Sequence, residues 1–168
     1  MEAVTEWELV GRVVLAAALG YLIGLERELT GQPAGERTHA LVALGAAGFA
    51  LISGSAFPGG DTARVAAGVV TGLGFLGAGM ILKKRGEGVQ GLTTAAGIWA
   101  VGAMGLGIGA GMYLLGITTA ALVGLIVASE SAELGREIGP LAGQHRDGRP
   151  RGGQPLRLGR CQSADWLE

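Results

Sequence analysis

The sequence predicts an all-α fold, a polytopic bundle of about five transmembrane helices, and three observations carry that expectation. Charged residues make up 16% of the chain and hydrophobic ones 49%, whereas an ordinary soluble domain is roughly 25% charged. The charges are also clumped. From Gly86 to Ser129 the only one is Glu87, and uncharged runs of that length read as membrane spans. Third, the 33 glycines are interleaved with Leu, Val, Ile and Ala without a three-residue period. That pattern excludes collagen and suits helices packed backbone against backbone in lipid, where small residues permit close approach.

Each span follows from length and breakers. A span needs about 20 apolar residues, at 1.5 Å of rise each across a core of roughly 30 Å. The first runs from about Leu9 to Leu25 and stops at Glu26-Arg27-Glu28. Its acidic opening, Glu2, Glu6 and Glu8, is the reverse of a signal peptide's basic start, so this helix is expected to be retained. The second covers about Ala40 to Phe57, closed by Pro58-Gly59-Gly60-Asp61, and the third Arg64 to Leu82, halted by Lys83-Lys84-Arg85. The stretch Gly91 to Val127 is too long for one span. Gly107-Ile108-Gly109-Ala110-Gly111 can break it into Leu92–Leu106 and Met112–Ala128.

Basic residues set the expected orientation. With the N-terminus outside, Arg27, Arg37, Lys83, Lys84, Arg85 and the six arginines from Arg136 to Arg160 fall inside, and only Arg12 and Arg64 fall outside. The positive-inside rule therefore favours N-out, C-in. Residues 1–138 form the expected transmembrane domain. Residues 139–168, rich in Pro, Gly and Arg, are expected to be a short disordered cytoplasmic tail. A net charge of −1 gives no reason to expect nucleic acid as a partner, and the single Cys161 excludes an internal disulfide or a thiolate metal site.

Ionisable and polar residues in or near spans are the candidate functional groups, because placing them there is costly. Arg12 either snorkels to the headgroups or meets a buried partner. Asp61 and Arg64 sit three apart at the start of the third helix, where they can pair, or Asp61 can cap. Arg64 also begins a possible polar path through Gly68, Thr71 and Gly72. Glu26 and Glu28 invite a magnesium reading, since hard cations take carboxylate oxygen. Two positions apart on a helix is about 200° of rotation, however, so they cannot chelate as a pair. The simpler expectation is interfacial ion pairing among Glu26, Arg27, Glu36 and Arg37, with His39 hydrogen-bonding nearby. Thr93 and Thr94 can bond the preceding turn or a neighbouring helix, and Trp99 at mid-span is expected to face the bundle so that its indole N–H finds an acceptor.

Glycines form the packing candidates. Gly20 and Gly24 in the first helix, and Gly68 and Gly72 in the third, are small-x-x-x-small pairs, and Gly77 and Gly79 thin the third helix further. They predict a central third helix, packed tightly on at least two sides, or a homodimer through one of these faces. No G-x-S-x-G, H-E-x-x-H or P-loop occurs, and neither His39 nor His145 has a spaced partner. An enzyme is therefore not expected, and no cofactor is implied.

Several blocks together resemble one family. Gly24-Leu25-Glu26-Arg27-Glu28, then Gly31, then Ala34-Gly35-Glu36-Arg37-Thr38-His39 is followed by Asp61-Thr62-Ala63-Arg64-Val65-Ala66. Gly74-Phe75-Leu76-Gly77-Ala78-Gly79-Met80-Ile81 and Val89-Gln90-Gly91-Leu92-Thr93-Thr94-Ala95-Ala96, then Trp99, complete the series. In that order and spacing they are similar to the membrane domain of the MgtC/SapB family, over about Gly20 to Ala128. The resemblance implies a bacterial inner-membrane protein linked to growth in low magnesium, acid tolerance and intracellular survival of pathogens. It also implies restraint of the proton-driven ATP synthase through intramembrane contact, rather than magnesium transport. Many members of that family continue into a folded cytoplasmic domain, where this chain has a low-complexity tail.

Overall fold

The computed structural model describes residues 5–57, 59–84 and 88–144, with side chains over 5–57, 59–81 and 89–130. Five helices dominate it: α1 (Glu6–Leu29), α2 (Glu36–Ser55), α3 (Thr62–Met80), α4 (Leu92–Gly109) and α5 (Tyr113–Gln144). Each is long and apolar enough to cross a membrane, α5 through its stretch Tyr113–Glu130. The helices begin and end where the local chemistry dictates. Glu6 and Glu8 occupy the first turn of α1 and Arg27 its last, matching the helix dipole at both ends. Asp61 caps α3, its Oδ1 accepting from the Ala63 N–H at 3.0 Å. Gly111, at φ +82°, supplies the left-handed residue that folds α5 back from α4.

Between α3 and α4 lies an element the sequence did not suggest. Leu82–Lys84 (β1) pairs antiparallel with Gly88–Gln90 (β2), with Leu82 opposite Gln90. Gly91, at φ +88°, then turns the chain into α4, and a Cβ there would collide with the Met80 carbonyl oxygen. The basic run read as a simple stop thus begins a hairpin between two helices.

The chain divides into two units, residues 1–134 and 135–168. In the second, the described part is the helical stretch 135–144. Helix therefore passes the expected boundary at residue 138, and the rest of the expected tail, 145–168, lies outside the described residues.

The first unit is a bundle built around α4, and this corrects the expectation of a central α3. Of the most apolar window of α4, 56% is buried, against 11% for α3. Glycines explain the difference, but not those that stood out in the sequence. A Cβ on Gly105 would lie 2.5 Å from the Ala43 carbonyl oxygen, and one on Gly109 2.5 Å from that of Ala47, so α4 lies directly on the backbone of α2. Gly102 receives the Leu73 side chain of α3, and Gly116 of α5 receives Ile108. On α1, a Cβ on Gly20 would meet the His39 carbonyl at 2.6 Å, and one on Gly24 would meet the Gly35–Glu36 backbone. On α3, by contrast, Gly68, Gly72, Gly74 and Gly79 have nothing within 4 Å, and Gly77 makes an ordinary contact with Ala95 at 3.6 Å. The physical reason is that small residues only permit close approach. Which helix comes close is decided by the surface facing them. Ala16, Ala43, Ala47, Val101, Met104 and Ile108, none of them exposed, form the resulting core.

Candidate functional site

Two polar constellations close the bundle, one near each end of α1. Arg12 and Arg27 are fifteen residues apart, about 22 Å along the helix. At the first end, Glu8 and Arg12 are one turn apart on α1 and form an ion pair, Nη2 to Oε1 at 2.6 Å. The Arg12 Nε donates to the Tyr113 hydroxyl at 2.9 Å, and Nη1 to the Gly109 carbonyl at 3.1 Å. Tyr113 in turn donates to Glu8 at 3.2 Å, and the guanidinium carbon stands 5.5 Å from its ring centroid. Arg12 therefore reaches partners on the α4–α5 corner rather than snorkelling alone, and by bonding the last carbonyl of α4 it completes that helix's C-terminus.

At the other end Arg27 is 2% exposed. Its Nη1 donates to Glu130 Oε2 on α5 at 3.0 Å, joining residues 103 positions apart. Its Nη2 is also buried, and has no hydrogen-bond partner among the described residues. His39, 1% exposed, places Nδ1 2.9 Å from the Gly35 carbonyl, so Nδ1 carries the proton in that bond. The Thr30 hydroxyl lies within hydrogen-bond reach of the Glu26 and Arg27 carbonyls, at 3.0 and 3.2 Å, sealing the end of α1. The Gly24 contact brings the start of α2 directly against α1, about one turn before Arg27.

The expected network of Glu26, Arg27, Glu36 and Arg37 is thereby corrected. Arg27 takes its partner from α5, and Arg37 is exposed without an ion pair among the described residues. Glu26 and Glu36 are partly buried, and Glu28 is exposed with its carboxylate against Gly35. Asp61 caps α3 and makes no ion pair with Arg64, which is exposed. Thr71 donates to the Ala67 carbonyl of its own helix at 2.9 Å, so the polar path imagined along α3 runs over an exposed face. Thr94 is buried and Thr93 exposed. Trp99 is 50% exposed, which corrects its expected inward orientation: the inner positions of α4 are held by Ile98, Val101 and Gly102.

Glu130 and Tyr113 are the residues that sequence reasoning missed. Glu130 did carry a signal, as the carboxylate that ends the long uncharged run. Among the described residues, no group of three or more His, Cys, Asp or Glu comes together as a metal site.

The model of the MgtC family matches residues 13–133. YhiD of Escherichia coli (strain K12), whose name marks it as a candidate magnesium transporter, is 48% identical over 118 residues, 66% of this chain and 54% of its own. SrpB of Synechococcus elongatus (strain ATCC 33912 / PCC 7942 / FACHB-805) is 44% identical over 121 residues, 63% of this chain and 65% of its own. MgtC of Brucella abortus (strain 2308) is 48% identical over 97 residues, 58% and 40%. The chain thus spans about half the length of the curated relatives it matches. No solved structure matches it. The matched segment runs from the second turn of α1 past the end of the α5 span, taking in Arg27 and Glu130 together with the glycine contacts of α4 on α2, and on that ground this multi-pass membrane protein belongs to the MgtC family.

Proposed function

We propose that this chain is a membrane regulatory protein of the bacterial inner membrane, acting by helix contact within the bilayer, with its N-terminus outside. The observation that carries this is the placement of polarity. The held charges, Arg12 and Arg27, stand near the two ends of α1, and alanine, valine, methionine and isoleucine pack the level between them. Transporters usually place polar sites at the midplane on broken helices, and α1 to α4 here are continuous. The outward face of α3, with Phe75 82% exposed, offers contact area to another membrane protein. The family resemblance makes the membrane sector of the proton-driven ATP synthase the first partner to test, with growth in low magnesium, acid tolerance and intracellular survival as the setting. A homodimer through α3 is a compatible arrangement.

A second reading, a small transporter or channel for magnesium or another cation, is favoured by the name of the Escherichia coli relative. Two assays separate the readings. Inverted membrane vesicles carrying the chain should show reduced ATP-driven proton pumping relative to vesicles without it. Proteoliposomes of the purified chain should show no magnesium flux above empty liposomes. Flux above that background, with pumping unchanged, would replace the regulatory reading with transport.

A further inference from the structure

A cleft between α2 and α3, about 600 Å³ in volume, is left open by the packing of the bundle. One wall is the row Leu41, Gly45 and Phe49 of α2, and the other the row Gly68, Gly72 and Leu76 of α3. Each row advances four residues at a time along one helix face. One further step leads to Arg37 on α2 and to Arg64 on α3. Both arginines are exposed, and neither makes an ion pair among the described residues. Each lies in the first turn of its helix, and a short link joins the two helices, so the arginines stand at opposite ends of the cleft.

An apolar cleft facing a bilayer fills, because an empty one forfeits the dispersion contacts of its walls. A helix and an acyl chain are the two candidate occupants. Helices gain no hydrophobic driving force from association in lipid and depend on tight packing and interhelical hydrogen bonds. The two wall rows contain no side-chain donor or acceptor, and the adjacent Thr71 hydroxyl is committed to the Ala67 carbonyl. An acyl chain requires no such partner. At the ends, a guanidinium suits a phosphate, bidentate in geometry and opposite in charge. Of the nearby carboxylates, Asp61 is engaged on the Ala63 N–H, Glu28 lies against Gly35, and Glu36 stands about 100° around α2 from Arg37.

We propose that this cleft seats anionic phospholipids, their acyl chains entering from both leaflets while Arg37 and Arg64 hold the phosphates. The proposal is independent of the regulatory reading and goes beyond it. It is tested by native mass spectrometry of the full chain released from nanodiscs of equal phosphatidylglycerol and phosphatidylethanolamine. The native chain should retain phosphatidylglycerol preferentially. Gly68→Leu with Gly72→Leu, which builds into the cleft from positions where an added Cβ meets nothing within 4 Å, should lose retained lipid while melting as the native chain does. Arg37→Gln with Arg64→Gln should keep lipid but lose preference for the anionic species, by about fivefold for each arginine removed. If the filled variant fails to fold, this exposed pair still decides the matter. Equal retention of the two lipids by the native chain, or unchanged preference in the arginine variant, overturns the proposal. So does a filled variant that retains lipid fully but changes from dimer to monomer, which would make the cleft a seat for a second copy.

Discussion

Arg27 of α1 and Glu130 of α5 meet at 3.0 Å, and the arginine is almost wholly buried while the glutamate side chain is 40% exposed. The pair is therefore unequal. Removing the glutamate strands a buried cation, whereas removing the arginine leaves a carboxylate that water can reach. Glu130→Ala should lower stability by about 1–3 kcal/mol, the cost of an unsatisfied buried donor. Glu130→Gln, which keeps an acceptor, should lie nearer the native protein. Arg27→Met combined with Glu130→Leu should recover much of the loss, since a packed apolar pair often replaces a buried ion pair without penalty. Thermal unfolding in detergent measures all three, and a Glu130→Ala protein as stable as the native one would remove the pair from the account.

Arg37 gives the contrasting case. It is exposed and unpaired among the described residues, so Arg37→Glu should change stability by no more than about 0.5 kcal/mol. A large loss in the same unfolding assay would restore the four-residue network expected from sequence.

The glycines of α4 should be far less tolerant than those of α3. Gly105→Leu and Gly109→Leu push a side chain into the backbone of α2, and overpacking of this kind costs about 1–3 kcal/mol or more. A Cβ added to Gly72 meets nothing within 4 Å, so Gly72→Leu should melt close to the native protein. Equal melting temperatures across the three variants would contradict the placement of α4 at the centre.

This contrast also shows what the sequence could and could not reveal. The five spans were legible because length, hydropathy and the breakers at Gly59-Gly60 and Gly111 act locally. The identity of the central helix was not. In water a buried helix face differs in polarity from an exposed one, but in lipid both surroundings are apolar and that contrast fades. Gly72 and Gly105 therefore look alike in sequence, although only one touches a neighbour. Arg27 was legible as a candidate because a charge at the end of a span is conspicuous. Its partner was not, because 103 residues separate it from Glu130. Trp99 was misjudged because a polar N–H at mid-span was assumed to turn inward, while Ile98 and Val101 fill the inner positions.

At the other end of α1, Tyr113→Phe removes one acceptor of Arg12 and one donor to Glu8. The Glu8 ion pair and the Gly109 bond survive the change, so the loss should be about 0.5–1.5 kcal/mol. Arg12→Leu breaks the three bonds that the guanidinium makes, leaving only that from Tyr113 to Glu8, and should exceed it. If the two variants melt alike, the Gly109 carbonyl and Glu8 contribute little.

Orientation is open to direct measurement. With the N-terminus outside, Gly59→Cys should react with an impermeant thiol reagent on intact cells, and Gly86→Cys only after lysis, both in a Cys161→Ser background. The opposite labelling pattern would invert the topology.

The Arg12 cluster has a consequence for how the protein is made. A ribosome delivers α1 to the membrane long before it has synthesised Gly109 and Tyr113, which lie 97 and 101 residues downstream. The acceptor already in place is Glu8, one turn earlier on the same helix. The first helix therefore enters the bilayer carrying its own counterion, and exchanges a solitary pair for a shared one when the last corner of the chain arrives. Arg12's coordination is complete only once the α4–α5 corner has been made, so a nascent chain stalled before Gly109 leaves that cation bonded by Glu8 alone.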